Sequence, residues 1–514
     1  IALDEIVKTK KIKFIKLVSD DLNLHKTLKR YCKEEKITYV FNLKISLSKY
    51  LTSFSLKKII KKMFPKEIIS FLILIKYCYL RKNFFNKSSI NFKVSKKAFF
   101  IMSYFTNFDL KKLLKNQYKS NYWDGLSDLS KLEKFSVNWL QIFIPNKNTK
   151  NSKTSNRLIK NIKDKKNEIF FFIEYYLDFN VILFVISKWS ILIIKYYKMV
   201  KFNKLFFLKN SKMNLWYILK DDWKDSMCGP VAINNLFYIK IFDLFFKKIN
   251  TQHKGIYLME NISFEKALIF YWKKYNHKKL IGVQSTTVRF WDLRYHFPLK
   301  AINSKNKSSM PLPDYFSVNG QNAYNQFLEI GYDKKKLIKS EALRYQHLIG
   351  LKSKKKNKKE LTILVVGDYS KESTISLLKL LETSLKSFSH KYKILFKSHP
   401  ETPVKLDKFN IPKIREVYGA TSQFIKKIDC VFSTNTTAAA LDFYLAGIKV
   451  FVMLDRGKVN FSPLKGHKNV DFVYNKKSLI IALNKFTISN KKNIIFKNFF
   501  YNDTKLKKWK KILS

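Results

Sequence analysis

The chain has 514 residues, too many for one ordinary domain, so two or three are expected. Its 46% hydrophobic content supplies a large core and excludes a chain disordered throughout. The net charge of +62, from 100 Lys+Arg against 38 Asp+Glu, has two readings: a polyanion partner, or a lysine bias spread over every surface. Lysine, asparagine, isoleucine and phenylalanine are abundant everywhere while glycine (12) and proline (10) are scarce, which favours the second. No RNA-binding motif with interleaved aromatics occurs, so no specific nucleic acid is expected. The charge would still hold the protein near anionic lipid or phosphorylated substrates. Cys32, Cys78, Cys228 and Cys430 form no C-x-x-C pair, which points to neither a disulfide framework nor a zinc site. A reducing, cytoplasmic compartment is the simple expectation. The sequence begins at Ile1, and no signal peptide is read in it.

In chain order, residues 1 to about 90 read as helical, with apolar residues three and four apart, as at Leu47, Leu51 and Phe54. Residues 97–104 (KAFFIMSY) suit a buried strand, followed by a loop at Phe105-Thr106-Asn107. The polar, lysine-rich stretch 146–168 reads as a linker or exposed insertion. Residues 169–197 are very apolar, but Glu174, Asp178 and Lys188 interrupt them, and the longest charge-free run (179–187) is well short of the ~20 residues a spanning helix needs. A pair of helices is expected there, buried in the core or lying on a membrane surface. Lysines 188, 195, 198, 201 and 204 suit docking on the anionic inner face of a plasma membrane.

A helix at 231–248, a strand at 255–258, a helix at 263–275 and a strand at 279–284 alternate as in a parallel sheet. The lysine run KSKKKNKKE (352–360) marks a second break. After it come strands at 361–367, 392–397, 428–433 and 449–454, with helices at 374–387 and 436–446 and Gly447 placed as a helix C-cap. This is the pattern of a doubly wound sheet. The expected divisions are a helical extension (1–90), an α/β domain with inserted apolar helices (91–350), and a Rossmann-like domain (351–514).

Ligands of open parallel sheets bind beyond the C-terminal strand ends. Three such ends carry polar residues. Gly367-Asp368 would let a backbone come close to a ligand, or is an ordinary turn. Lys397-Ser398-His399-Pro400 holds a histidine in extended backbone, to donate to a phosphate or to cap a loop. Ser433-Thr434-Asn435-Thr436-Thr437 puts hydroxyls at an expected helix N-terminus. That arrangement caps a helix, and it is equally a ready phosphate site.

A K-x-HP motif, then a hydroxyl-rich turn, a helix ending in AG and a short strand, resembles the C-terminal domain of GT-B glycosyltransferases, bacterial sialyltransferases and polysialyltransferases among them. GVQSTTVRFWDLRY (282–295), PLPDYFSVNG (311–320) and LVVGDYS (364–370) resemble a family of surface carbohydrate (O-antigen-type) biosynthesis proteins, as do YLMENISFEKALIFYW (257–272), SYFTNFD (103–109) and NYWDGLSDL (121–129). The likeness covers about residues 95 to 480.

It implies an α/β, GT-B-like fold with two Rossmann-like domains facing a cleft. The implied activity is transfer of a sugar from a nucleotide-sugar donor, a substrate rather than a cofactor, to a glycan or lipid-linked acceptor of surface polysaccharide. By this resemblance His399 meets the phosphate, and Ser433, Thr434, Thr436 and Thr437 surround it. The N-terminal half then supplies acceptor binding and a base. Glu260, Glu265 and Asp292 are the carboxylates near expected strand ends, with Gln284 and Arg289 beside them. The rival readings are helix caps for the glutamates and an Asp292–Arg294 ion pair. Position 285 is serine where the family usually has histidine. No D-x-D motif occurs, so no metal is expected. The absence of G-x-x-x-x-G-K-[ST] and G-x-G-x-x-G argues against an NTPase or a dehydrogenase. The alternatives are an epimerase or hydrolase of nucleotide sugars on the same fold, and a non-enzymatic basic protein bound to membrane or nucleic acid.

Overall fold

The computed structural model describes residues 2–43, 64–85, 92–160, 162, 167–200, 205–303, 310–351, 360–389, 391–454, 459–486 and 499–514. Leu47, Leu51, Phe54, Lys201, Lys204 and the lysine run up to 359 lie outside the described residues. The chain divides into two compact units. One gathers Ile1–Ser89, Lys147–Asn156 and Ile173–Lys248; the other gathers Ile90–Asn146, Arg157–Phe172 and Ile249–Ser514.

In the first unit, strands β1 (Phe14–Ser19) and β2 (Thr38–Leu43) pair in parallel. The segment read as helical therefore contains strands, and their residues explain it. FIKLVS and TYVFNL are rich in aromatic and β-branched side chains, which suit a pleated surface. The helix Leu22–Glu34 lies between them in sequence and starts where Asp21 accepts from the backbone N–H groups of Asn23 and Leu24. Val7, Leu28, Tyr31, Cys32, Ile37 and Met213 form the local core. The helices Lys66–Arg81, Phe179–Met199, Trp216–Cys228 and Pro230–Lys248 pack together in the rest of the unit.

Two expectations for the middle of the chain are corrected. The stretch read as a linker contains the helix Ser152–Lys160, and Ser152, Ser155 and Asn156 are buried. Its polar side chains are structural: Ser152 Oγ accepts from Asn83 N at 3.0 Å, and Asn156 Nδ2 donates to Asn83 O at 3.0 Å. The apolar run after it is not a helix pair. Glu168–Phe172 (EIFFF) is a strand, and a single long helix begins at Phe179, where Asp178 accepts from Val181 N at 2.7 Å. A short apolar run fits either state, and pairing with the strand Ser136–Phe143 along one edge of its sheet makes 168–172 a strand.

The second unit holds two parallel sheets. The first runs β5-β4-β3-β6-β7-β8-β9, with β3 Ala98–Phe105, β4 Ser136–Phe143, β5 Glu168–Phe172, β6 Lys254–Leu258, β7 Lys279–Val283, β8 Tyr315–Val318 and β9 Leu337–Lys339. The second runs β12-β11-β10-β13-β14-β15, with β10 Glu360–Val366, β11 Lys391–Lys397, β12 Arg415–Glu416, β13 Cys430–Thr434, β14 Lys449–Met453 and β15 Val470–Val473. Strand order reverses beside β3 in one sheet and beside β10 in the other, which makes two switch points. Both halves are Rossmann-like, and the architecture is α/β and GT-B-like. β3, β10 and β13 are buried along almost their whole length, which is why they read as continuous apolar runs.

The C-terminal segment ties the two halves together. Phe499 and Phe500 pack with Tyr345, Tyr444 and Leu464 of the second half. Tyr501 N then donates to Asn319 O at 2.7 Å. The last helix, Lys507–Leu513, is held by Glu341, whose carboxylate accepts from Lys508 N at 2.8 Å and Trp509 N at 3.0 Å.

Candidate functional site

β10 lies between β11 and β13, and its last residue, Val366, stands opposite Lys397 on one side and Ser433 on the other. The three polar strand ends therefore share one rim. Gly367 N donates to Lys397 O at 2.9 Å. A Cβ on Gly367 would stand 3.2 Å from Thr374 Cγ2 and 3.4 Å from His399 N, so only glycine fits without displacement.

Asp368, 5% exposed, gathers the neighbouring turns. Its carboxylate accepts from the hydroxyls of Thr434 and Thr436 and from Ser370 N at 3.2 Å. Its carbonyl accepts from Thr402 Oγ1 at 3.0 Å, and Gly367 O accepts from Thr437 Oγ1 at 3.3 Å. Thus the hydroxyls expected to cap a helix at Thr436 hold Gly367-Asp368 instead. The helix itself starts later, spans Ala439–Leu445 and has no side-chain cap. No acceptor among the described residues meets the backbone N–H groups of Asn435, Thr436, Thr437 and Ala438. Ser433 Oγ, fully buried, has no hydrogen-bond partner among the described residues. Buried polar groups are ordinarily satisfied, so this rim has unused donors.

His399 Nδ1 accepts from Glu401 N at 3.2 Å. A backbone amide can only donate, so the neutral ring carries its proton on Nε2, free to donate elsewhere. Tyr369 stands edge-on to this ring, with centroids 5.5 Å apart. Pro400 follows in a tight turn in which Thr402 N donates to His399 O at 3.1 Å. Lys397, half-buried at the end of β11, has its ammonium pKa lowered by that burial.

In the first sheet the ends of β6 and β7 are adjacent, Leu258 opposite Val283. Glu260 Oε1 accepts from Ser285 Oγ at 3.0 Å, and its other oxygen meets Arg294 Nη1. Arg294 also grips Asp292 through two bonds, of 2.9 and 2.7 Å, so Asp292 is engaged in an ion pair. Glu265, fully buried, accepts from the backbone N–H groups of Glu260 and Asn261, both at 3.0 Å. Burial pushes its pKa up to about 8 against the pull of those amides. It thus holds the turn that carries Glu260. Gln284 accepts from Asn319 N at 3.2 Å and donates to Thr286 O, which stitches the end of β7 to that of β8.

The loop after β7 reaches the second sheet. Arg289 Nη2 donates to Thr436 O at 2.9 Å, and Lys465 Nζ lies 3.4 Å from the centroid of the Phe290 ring. The structure therefore brings together two clusters joined by this loop. One contains Gly367, Asp368, Lys397, His399, Pro400, Ser433, Thr434, Thr436 and Thr437, and the other contains Glu260, Ser285 and Arg294. Sequence reasoning gave no role to Ser285, Thr402 or Tyr369. Their partners are 25, 34 and 30 residues away, and nothing local signals such contacts.

The chain matches no protein-family model and no curated protein. Among solved structures it overlays on the lipopolysaccharide outer core galactosyltransferase WaaB at 11% identity, over 81% of this chain and 98% of that one, with a TM-score of 0.41. The glycotransferase of kitacinnamycin overlays at 6% identity over 76% and 91%, with a TM-score of 0.42. A UDP-N-acetylglucosamine 2-epimerase overlays at 6% identity over 76% and 86%, with a TM-score of 0.40. At these values the reading of the site rests on its own geometry.

Proposed function

We propose that the second unit transfers a sugar from a nucleotide-activated donor to a glycan or lipid-linked acceptor, in the building of a surface polysaccharide. One observation carries this reading: three strand-end turns at the switch point of the second sheet converge on Gly367-Asp368, and the amides of Asn435 to Ala438 meet no acceptor among the described residues. A row of main-chain N–H groups is suited to a phosphate.

Asp368 does not hold the phosphate, since like charges repel; it fixes the turns around it. His399 donates from Nε2 to the departing phosphate. The charge of Arg289 lies beside the same turn. In the reaction the acceptor hydroxyl oxygen attacks the anomeric carbon. The bond from that carbon to the phosphate oxygen breaks, the nucleotide leaves with the electron pair, and the hydroxyl proton passes to Glu260. Ser285 and Arg294 fix the two oxygens of Glu260; Glu265 and Asp292 position this assembly. We read the reaction as metal-independent from the lack of a D-x-D motif. The tie to surface polysaccharide rests on the sequence resemblance.

The test is a thermal-shift screen against CMP-, UDP-, GDP- and CDP-sugars, repeated with His399→Ala. One nucleotide class should raise the melting temperature, and the variant should weaken that response. A protein that responds to none of them would overturn the reading. If sugar nucleotide is consumed with no acceptor present, the activity is hydrolysis or epimerisation instead.

A further inference from the structure

The helices Lys66–Arg81 and Phe179–Met199 of the first unit are amphipathic the wrong way round for a water-exposed bundle. On the first, Ile68, Phe71, Leu72, Ile75 and Tyr79 are 45 to 65% exposed. At about 100° per residue these five fall within an arc of roughly 100°. The residues this helix buries, Ser70, Leu74 and Arg81, are less apolar than those it exposes. On the second, Phe179, Leu183, Ile191, Ile194 and Tyr197 are 41 to 69% exposed and share an arc of about 120°. Its opposite side, Val181, Val185, Trp189 and Tyr196, is buried. Tyr197 OH donates to Glu67 Oε1 at 2.9 Å, which sets the end of one helix against the start of the other. Both helices also pack on Pro230–Lys248. Singly exposed apolar residues are ordinary, but two continuous stripes mark an interaction surface.

Charge selects the occupant. Lys76 is exposed beside the first stripe, and Lys188, Lys195 and Lys198 are exposed along one flank of the second. The acidic side chains nearby are engaged: Glu67 pairs with Lys224 at 3.2 Å, and Asp178 caps its helix. Apolar stripes flanked by lysines that pair with no carboxylate among the described residues match the acyl–headgroup boundary of an anionic bilayer. By length and composition Phe179–Met199 is long and apolar enough to cross a membrane. The exposed Lys188 at its middle, with Lys195 and Lys198 further along, favours lying flat, because a charge at the bilayer centre is costly and the same lysines suit the headgroups.

We propose that the outer faces of Lys66–Arg81 and Phe179–Met199 dock flat on an anionic lipid bilayer, with the apolar stripes inserted and the lysines at the phosphates. This goes beyond the sugar-transfer reading and stands without it. The full chain should co-sediment with vesicles of phosphatidylglycerol and phosphatidylcholine and not with pure phosphatidylcholine. Combining Leu72→Asp, Ile75→Asp, Leu183→Asp and Ile194→Asp should weaken binding about tenfold or more. A second variant, Lys188→Glu with Lys195→Glu and Lys198→Glu, should do so without touching an apolar residue. Retained circular dichroism in this charge variant keeps the test valid if the first misfolds. Three results would each overturn the proposal: no binding to anionic vesicles, variants that bind like the parent, or light scattering that shows a dimer broken by the same substitutions, which would make the face a contact between copies.

Discussion

Two carboxylates illustrate how burial divides labour in the first half of the second unit. Glu260 is half-buried and ties together Ser285 and Arg294, whereas Glu265 is sealed beneath it on main-chain amides. Replacing Glu260 with Gln should lower kcat by about 10²–10⁴, as for loss of a general base, with KM nearly unchanged. Steady-state kinetics on the donor found in the thermal screen would check this; a change confined to KM would assign Glu260 to binding alone. Glu265 makes a pH prediction. Its folded pKa, about 8, stands above its ordinary 4.5, so its contribution to stability is whole below 4.5 and is lost as pH climbs towards 8. Glu265→Gln carries no charge to lose. The melting temperature of the parent should therefore fall relative to the variant as pH rises. A difference that stays flat across that range would show that Glu265 titrates elsewhere.

At the scale of elements, Gly320 lies in extended backbone after β8, where conformational freedom is not at issue. What excludes a side chain is contact: a Cβ there would sit 1.7 Å from Phe499 O and 2.4 Å from its carbonyl carbon. Gly320→Ala must push the returning C-terminal segment away and should destabilise by about 2–3 kcal/mol or more, read from urea unfolding. An Ala variant as stable as the parent would show that this segment yields freely. Legibility from sequence follows the same logic of burial. β10, β13 and β14 were readable because parallel strands covered on both faces are continuous apolar runs between clear breaks, and β11 through its buried centre, Ile394-Leu395-Phe396. β4 was not, because Asn138 and Gln141 interrupt SVNWLQIF. Both are buried and bonded to partners distant in sequence, Asn138 Nδ2 donating to Gln252 Oε1 at 2.8 Å and Gln141 Nε2 to Tyr118 OH at 3.1 Å. The placement of His399 and the hydroxyl turn on one rim was legible from strand order. The role of Asp368 in gathering those hydroxyls was not, since it joins residues 66 and 68 apart.

Over the whole second unit, stability depends on a strap. The chain leaves the second half at Phe499-Phe500 and ends on the first, where Trp509 is 1% exposed, its indole N–H donating to Glu341 O at 2.8 Å and its ring lying edge-on to Trp123. Trp509→Ala should cost about 3–5 kcal/mol, and both halves should lose cooperativity together in denaturant. If only one unfolding transition shifts, the halves are independent. A different consequence follows from the amides after β13, which meet no acceptor among the described residues. Peptide N–H groups neither titrate near neutrality nor vanish on mutation, proline apart. A donor seated on them would tolerate replacement of Asn435, whose side chain turns to Val459 O, better than replacement of Thr436 or Thr437, whose hydroxyls hold Gly367-Asp368. Divergence at Asn435 would then retune which nucleotide is accepted while leaving the grip on its phosphate intact.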